Sequence, residues 1–138
     1  MPVSTIYEQL TRDEGVQRVL YRDSLGNPTV GVGHLLTTPL SDLAIQTILK
    51  DDVNTAYQTL TTRLPWVYNL SDARKGAFIN LTFNMGIDGL LGFQKMLRAA
   101  QADSWDVAAA ELLHSTYAKQ VGDRAQRLAT QLREDRWI

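Results

Sequence analysis

The sequence predicts an α+β fold, with one small antiparallel sheet near the N-terminus and about six or seven helices around and after it. Three observations carry that expectation. Apolar residues recur at helical spacing up to Glu14 and again from Ser41 onward. The stretch between them, LYRDSLGNPTVGVGHLL, is rich in glycine and β-branched residues. The chain has 138 residues, the size of one domain, and that length buries on the order of two-thirds of what the unfolded chain exposes.

The elements follow in order. Ser4 or Thr5 caps a first helix, with Ile6, Leu10 and Tyr7 on its buried face, and Gly15 stops it. A small sheet with turns follows from about residue 20 to 34, interrupted at Gly26-Asn27-Pro28. Ser41 or Asp42 caps a long helix with Leu43, Ile45, Ile48, Leu49, Val53, Ala56, Tyr57 and Leu60 as apolar positions, and Pro65 ends it. Ser71 caps ARKGAFINLTFNM, and Gly86 and Gly89 punctuate the turn beyond. A short helix runs from Phe93 to Ala100, Asp103 or Ser104 caps the next, and Asp123 caps RAQRLATQLRE. No repeat or low-complexity linker interrupts this order. Trp66, Trp105 and Trp137 read as core, because large aromatics dominate the burial of small domains.

Composition narrows the function classes. There are no cysteines, so disulfides, thiolate metal sites and cysteine catalysis are excluded. The net charge is −1. The first 70 residues carry 5 basic and 7 acidic groups, the last 68 carry 9 and 8, and neither half is a basic patch. Nucleic-acid binding by phosphate neutralisation is not expected. No stretch approaches the roughly 20 apolar residues of a membrane span. The opening MPVSTIYEQL lacks a basic segment followed by an apolar run, so no signal peptide is expected.

The chemistry concentrates near the N-terminus. Glycoside hydrolysis needs one group to protonate the leaving oxygen and a carboxylate that activates water or attacks directly. Glu14 at a helix end and Asp23 in the sheet supply two carboxyls, and Thr29 on the neighbouring strand supplies a hydroxyl able to hold a water. Each has a plainer reading. Asp13-Glu14-Gly15 alone is an ordinary solvated helix end, Asp23 with Ser24 caps a turn, and a threonine in a strand needs no special reason.

The order and spacing sharpen the choice. Glu14, Asp23 and Thr29, then Gly31-Val32-Gly33-His34-Leu35-Leu36, are followed by Asn80-Leu81-Thr82-Phe83-Asn84-Met85-Gly86, Trp105-Asp106, Arg124-Ala125, Arg127 and Trp137. This series resembles the phage-type lysozymes (endolysins) of glycoside hydrolase family 24 along nearly the whole chain. The resemblance implies a single lysozyme-like domain. Its small lobe covers about residues 15–50, and a long connecting helix leads to a helical lobe of about 65–138 that includes the N-terminal helix. It implies a muramidase that cuts the β-1,4 bond between N-acetylmuramic acid and N-acetylglucosamine in peptidoglycan, with inversion.

By the same resemblance Glu14 is the general acid, kept protonated by partial burial or a nearby negative charge. Asp23 and Thr29 position the attacking water. Leu35 and Phe83 contact sugar. Arg124 supports the glutamate, and His34 pairs with Asp52. No cofactor or metal is implied, and the protein is expected to act as a monomer, without nucleic acid or membrane insertion. It is expected in the host cytoplasm until a separate protein opens a route to the wall. Two rivals stand beside this reading. A lytic transglycosylase would use Glu14 without an attacking water, and a non-catalytic wall-binding domain would use no chemistry.

The chain departs from the family's T-even member in two ways. The segment from His34 to Asp52 is much shorter, which implies a trimmed small lobe. Asn84 and Glu111 replace a glutamine and an asparagine at sugar-contacting positions, so those contacts do not carry over.

Overall fold

The computed structural model describes residues 2–138. In chain order the elements are α1 (Ile6–Glu14), β1 (Gln17–Arg22), β2 (Pro28–Gly31), β3 (His34–Leu35), α2 (Asp42–Arg63), a 3₁₀ helix (Pro65–Asn69), α3 (Asp72–Leu91), α4 (Gln94–Gln101), α5 (Trp105–Leu113), α6 (Thr116–Val121) and α7 (Asp123–Glu134). The predicted α+β class is the observed one. The chain divides into two compact units, Met1–Ile45 and Gln46–Ile138, with the division inside the first turn of α2.

In the first unit, α1 begins on a reciprocal cap. Thr5 Oγ1 accepts the Glu8 N–H at 3.1 Å, and the Glu8 carboxylate accepts the Ser4 N–H at 2.7 Å and the Ser4 hydroxyl at 2.9 Å. These bonds hold the Glu8 carboxyl below its ordinary value, the Ser4 backbone N–H contributing most. Gly15 ends the helix, its N–H donating to the Thr11 carbonyl. The sheet has the order β1-β2-β3, antiparallel throughout. Thr29 pairs with Tyr21 on β1 and Leu35 on β3, and the β1–β2 register shifts between Gln17 and Tyr21. Thr29 thus sits mid-sheet, and among the described residues of this unit it alone is fully buried.

The second unit holds the core. Leu60, Val67, Phe78, Leu81, Leu90, Leu112 and Leu132 are completely buried. α5 packs on α4 and α7, and α3 on α7. Phe78 meets Trp66 edge-on at 5.7 Å between centroids and Trp105 at 6.4 Å, arrangements that aromatic quadrupoles favour. The end of α7 is lashed to the start of α3. Arg74 Nε donates to the Leu132 carbonyl at 2.8 Å, Gln131 Nε2 donates to the Ala73 carbonyl at 2.6 Å, and the Ser71 hydroxyl donates to Asp135. The Leu132 bond satisfies one of the carbonyls that the last turn of a helix leaves open.

Several expectations need correction. The apolar face of α1 is not buried, since Ile6 is 56% exposed and Tyr7 80%. Helical period names an apolar face but does not supply a surface to cover it. Burial on α2 likewise reaches only Ala56 and Leu60. Helical bonding resumes beyond Gly86 to Leu91, because Gly86 takes φ 79° as a kink rather than a stop. Asp123 lies inside α7 and Gly122 occupies the cap position. Trp137 is 65% exposed rather than core, its ring edge resting where a Gly76 side chain would begin.

Phe78→Ala is expected to cost about 3–5 kcal/mol of stability by loss of buried volume. Phe83→Ala, at a side chain 48% exposed, should cost much less. Urea unfolding of both variants checks the contrast.

Candidate active site

Five of the eight residues singled out from the sequence lie in the first unit: Glu14, Asp23, Thr29, His34 and Leu35. The other three, Asp52, Phe83 and Arg124, lie in the second.

The β1–β2 connection organises the first group. The chain must reverse between Arg22 and Pro28, and Asp23 closes that reversal. Its N–H donates to the Asn27 carbonyl at 3.0 Å, and its own carbonyl accepts the Gly26 N–H at 2.9 Å. The Asp23 side chain then takes up donors that the turn leaves open. Oδ1 accepts the Leu25 N–H at 2.9 Å and the Asn27 N–H at 2.8 Å, and Oδ2 accepts Asn27 Nδ2 at 3.3 Å. Aspartate favours such turns because its short side chain reaches backbone N–H groups two residues on. The bonds hold its carboxyl below the ordinary carboxylate range, the Asn27 backbone N–H contributing most and desolvation opposing it. These bonds favour the ionised form of Asp23.

Thr29 is 2% exposed. Its hydroxyl donates to the Asn27 carbonyl at 2.9 Å. The structure therefore joins Asp23 and Thr29 through a single residue between them, Asn27. Sequence reasoning passed Asn27 over, reading Gly26-Asn27-Pro28 only as an interruption of the strands. The available signal was the spacing of Asp23 and Asn27, which matches an aspartate closing a five-residue connection.

Glu14 is exposed at the end of α1 rather than partly buried, so of the two expected surroundings only a neighbouring carboxylate is present: Asp13 stands beside it in the chain and pairs with Arg12 at 2.9 Å. The Glu14 carboxyl lies against the turn between β2 and β3. A Cβ added to Gly33 would stand 3.2 Å from Glu14 Oε2, 3.3 Å from Cδ and 3.4 Å from Cγ. The bare backbone at Gly33 is what leaves the carboxyl that room. Leu35 pairs with Thr29 and is 37% exposed. His34 pairs with Val30 on β2, and its Nε2 is buried without a hydrogen-bond partner among the described residues.

In the second unit, Arg124 near the start of α7 grips Asn80 of α3. Its Nε and Nη2 donate to Asn80 Oδ1 at 3.0 and 2.7 Å. A guanidinium near a helix N-terminus faces the positive end of the dipole, and this two-pronged bond to an amide oxygen offsets that penalty. Asp52 and Phe83 line one shallow hollow with Thr55, Thr59 and Thr82. Among the described residues no group of three metal-capable side chains occurs, and no helix is long and apolar enough to cross a membrane.

The amino-acid sequence is similar to known proteins. The phage lysozyme family model matches residues 11–135. Probable T4-type lysozyme 1 of Dictyostelium discoideum is 27% identical, over 91% of this chain and 92% of that protein. Probable T4-type lysozyme 2 of the same organism is 28% identical over the same shares. The pre-baseplate central spike protein Gp5 of Enterobacteria phage T4 is 28% identical over 92% of this chain, which corresponds to 27% of its own length.

Gly31 and Gly33 share φ 69°, but only Gly33 approaches Glu14. Gly31→Ala and Gly33→Ala should each lose stability of about 1–2 kcal/mol from a left-handed alanine. Only Gly33→Ala should move the carboxyl carbon resonance of Glu14, read by ¹³C NMR beside thermal unfolding.

The lowered Asp23 carboxyl also fixes a sign. A group with a depressed folded pKa stabilises above its unfolded value, about 3.9 for aspartate, and loses that contribution as pH falls through the folded value. The stability difference between parent and Asp23→Asn should therefore be steady near neutrality and shrink in acid. Unfolding curves across that pH range test it.

Proposed function

Because the chain belongs to the phage lysozyme family, we propose that it hydrolyses the β-1,4 bond between N-acetylmuramic acid and N-acetylglucosamine in bacterial peptidoglycan. One observation carries the reading: the Asp23 carboxylate and the Thr29 hydroxyl are both tied to Asn27 of the β1–β2 connection, and the Glu14 carboxyl at the end of α1 lies against Gly33 in the next turn of the same sheet. The types of group and their shared scaffold are those that acid-assisted hydrolysis requires.

In this proposal Glu14 gives its proton to the glycosidic oxygen as the bond to the anomeric carbon lengthens. The departing sugar leaves as a neutral alcohol rather than an alkoxide. Asp23, already an anion, stabilises the positive charge that grows on the ring and accepts a hydrogen from an attacking water. Thr29 holds the same water. The water oxygen bonds to the anomeric carbon from the face opposite the leaving group, its surplus proton passes to Asp23, and the configuration inverts. Two carboxyls separated by about 6.5–9.5 Å leave room for that water.

Leu35, beside Thr29 on the neighbouring strand, supplies an apolar contact for sugar, and Phe83 supplies another from its own unit. Arg124 holds Asn80 as a structural brace. The cellular place that fits is the host cytoplasm before release to the wall.

Purified protein on isolated peptidoglycan tests the reading. Glu14→Gln and Asp23→Asn should each lower turnover by about 10²–10⁴-fold with unchanged helical circular dichroism, and Thr29→Ala should fold and react slowly. Parent products should carry a free reducing end of inverted configuration. Full activity of Glu14→Gln would remove the acid, and a 1,6-anhydro end would replace the water by ring closure, as in a transglycosylase.

A further inference from the structure

We propose that the Asn27 side chain is a positioning group that fixes the plane of the Asp23 carboxylate, so that a water held between Asp23 and Thr29, both left as acceptors by the Asn27 backbone, is aimed by its donation to both. The proposal rests on the functional reading above and concerns how the water is aimed.

Threonine has one hydroxyl hydrogen, and Thr29 gives it to the Asn27 carbonyl at 2.9 Å. That carbonyl also accepts the Asp23 N–H at 3.0 Å, which occupies both of its lone pairs. Thr29 Oγ1 therefore offers a third party only lone pairs. An ionised carboxylate accepts and never donates. Asp23 Oδ1 is filled by the N–H groups of Leu25 at 2.9 Å and Asn27 at 2.8 Å. Oδ2 takes a single amide hydrogen, from Asn27 Nδ2 at 3.3 Å, and keeps a lone pair open.

A water placed between two acceptors spends both of its hydrogens on them. Its own lone pairs then point away from the pair, toward whatever electrophile stands opposite. Without the Asn27 carbonyl, Thr29 could turn its hydrogen toward the water or toward Asp23, and the water would lose that single orientation. Asn27 also grips both oxygens of Asp23, which fixes the plane of the carboxylate and decides which lone pair faces outward. The backbone part of the same grip is the largest cause of the lowered Asp23 carboxyl, with the Asn27 amide, Leu25 and Gly26 adding to it. The other charge at this turn is Arg22, whose Nη1 donates to the Gly26 carbonyl at 3.3 Å, and the variants below leave it in place.

A residue that only closes the turn would affect folding. A residue that aims the water affects turnover and the ionisation of Asp23. The test compares parent, Asn27→Ala, Asn27→Asp and Asp23→Asn as full-length proteins on soluble peptidoglycan fragments. It reads kcat, KM, the acid limb of the pH profile and thermal unfolding.

Asn27→Ala keeps the backbone bonds and loses the Nδ2 grip, so kcat should fall about threefold to tenfold. Asn27→Asp sets an acceptor against Oδ2 and makes two neighbouring carboxyls titrate as a pair. Its kcat should fall by about tenfold or more, and its acid limb should rise by about one pH unit. KM should stay within about twofold for both, since no substrate contact is removed. If Asn27→Asp does not fold, Asn27→Ala decides by the same readings.

Parent kcat and an unmoved acid limb in both variants, per folded molecule, would overturn the proposal even if thermal stability fell. In that event an inactive Asp23→Asn would leave the functional reading standing. An Asp23→Asn with parent turnover would remove both.

Discussion

The Asp23 carboxylate closes the β1–β2 connection by accepting the backbone N–H groups of Leu25 and Asn27. A tight reversal leaves N–H groups turned inward with no strand partner, and each costs free energy if it stays unpaired. With few buried side chains in the first unit, that unit relies on such bonds more than on a hydrophobic core. The carboxylate that answers this backbone requirement is the one the proposed hydrolysis needs ionised, and the backbone bonds favour that form.

The second unit is built on the opposite principle. Its stability comes from apolar volume packed around Phe78, Leu81 and Leu112, with polar lashings at the edge where α3 and α7 meet. Arg74 shows how one side chain serves both. It donates to the Leu132 carbonyl at the end of α7, and its guanidinium lies 4.2 Å from the centroid of the Trp105 ring, a favourable placement of a cation over an aromatic face.

Much of the fold was legible because its signals are local. Thr5 and Gly15 mark the ends of α1 by cap chemistry, and Pro65 stops the region of α2 because proline lacks the N–H a helix needs. The glycine-rich, β-branched stretch announced the sheet. The misreadings share one cause. Gly86 allows a stop or a kink, and the choice depends on what Ile87 to Leu91 pack against. Ser71 and Ser104 do stand at the cap positions the sequence indicates, but neither side chain makes a cap bond, and Ser71 turns to Asp135 instead. Trp137 has the composition of a core residue, but its ring rests on the open backbone of Gly76.

The sequence by itself determined the order of elements, the ends set by capping and proline, and the chemical types of Glu14, Asp23 and Thr29, because these depend on residue identity and spacing along the chain. The tertiary structure decided which apolar faces are covered, which polar atoms pair, and that Asn27 stands between the carboxylate and the hydroxyl. Burial and hydrogen-bond direction are relations between atoms brought together by folding. Asn27 acquires its place only when β1 turns back onto β2 and its amide, carbonyl and side chain meet Asp23 and Thr29 at once.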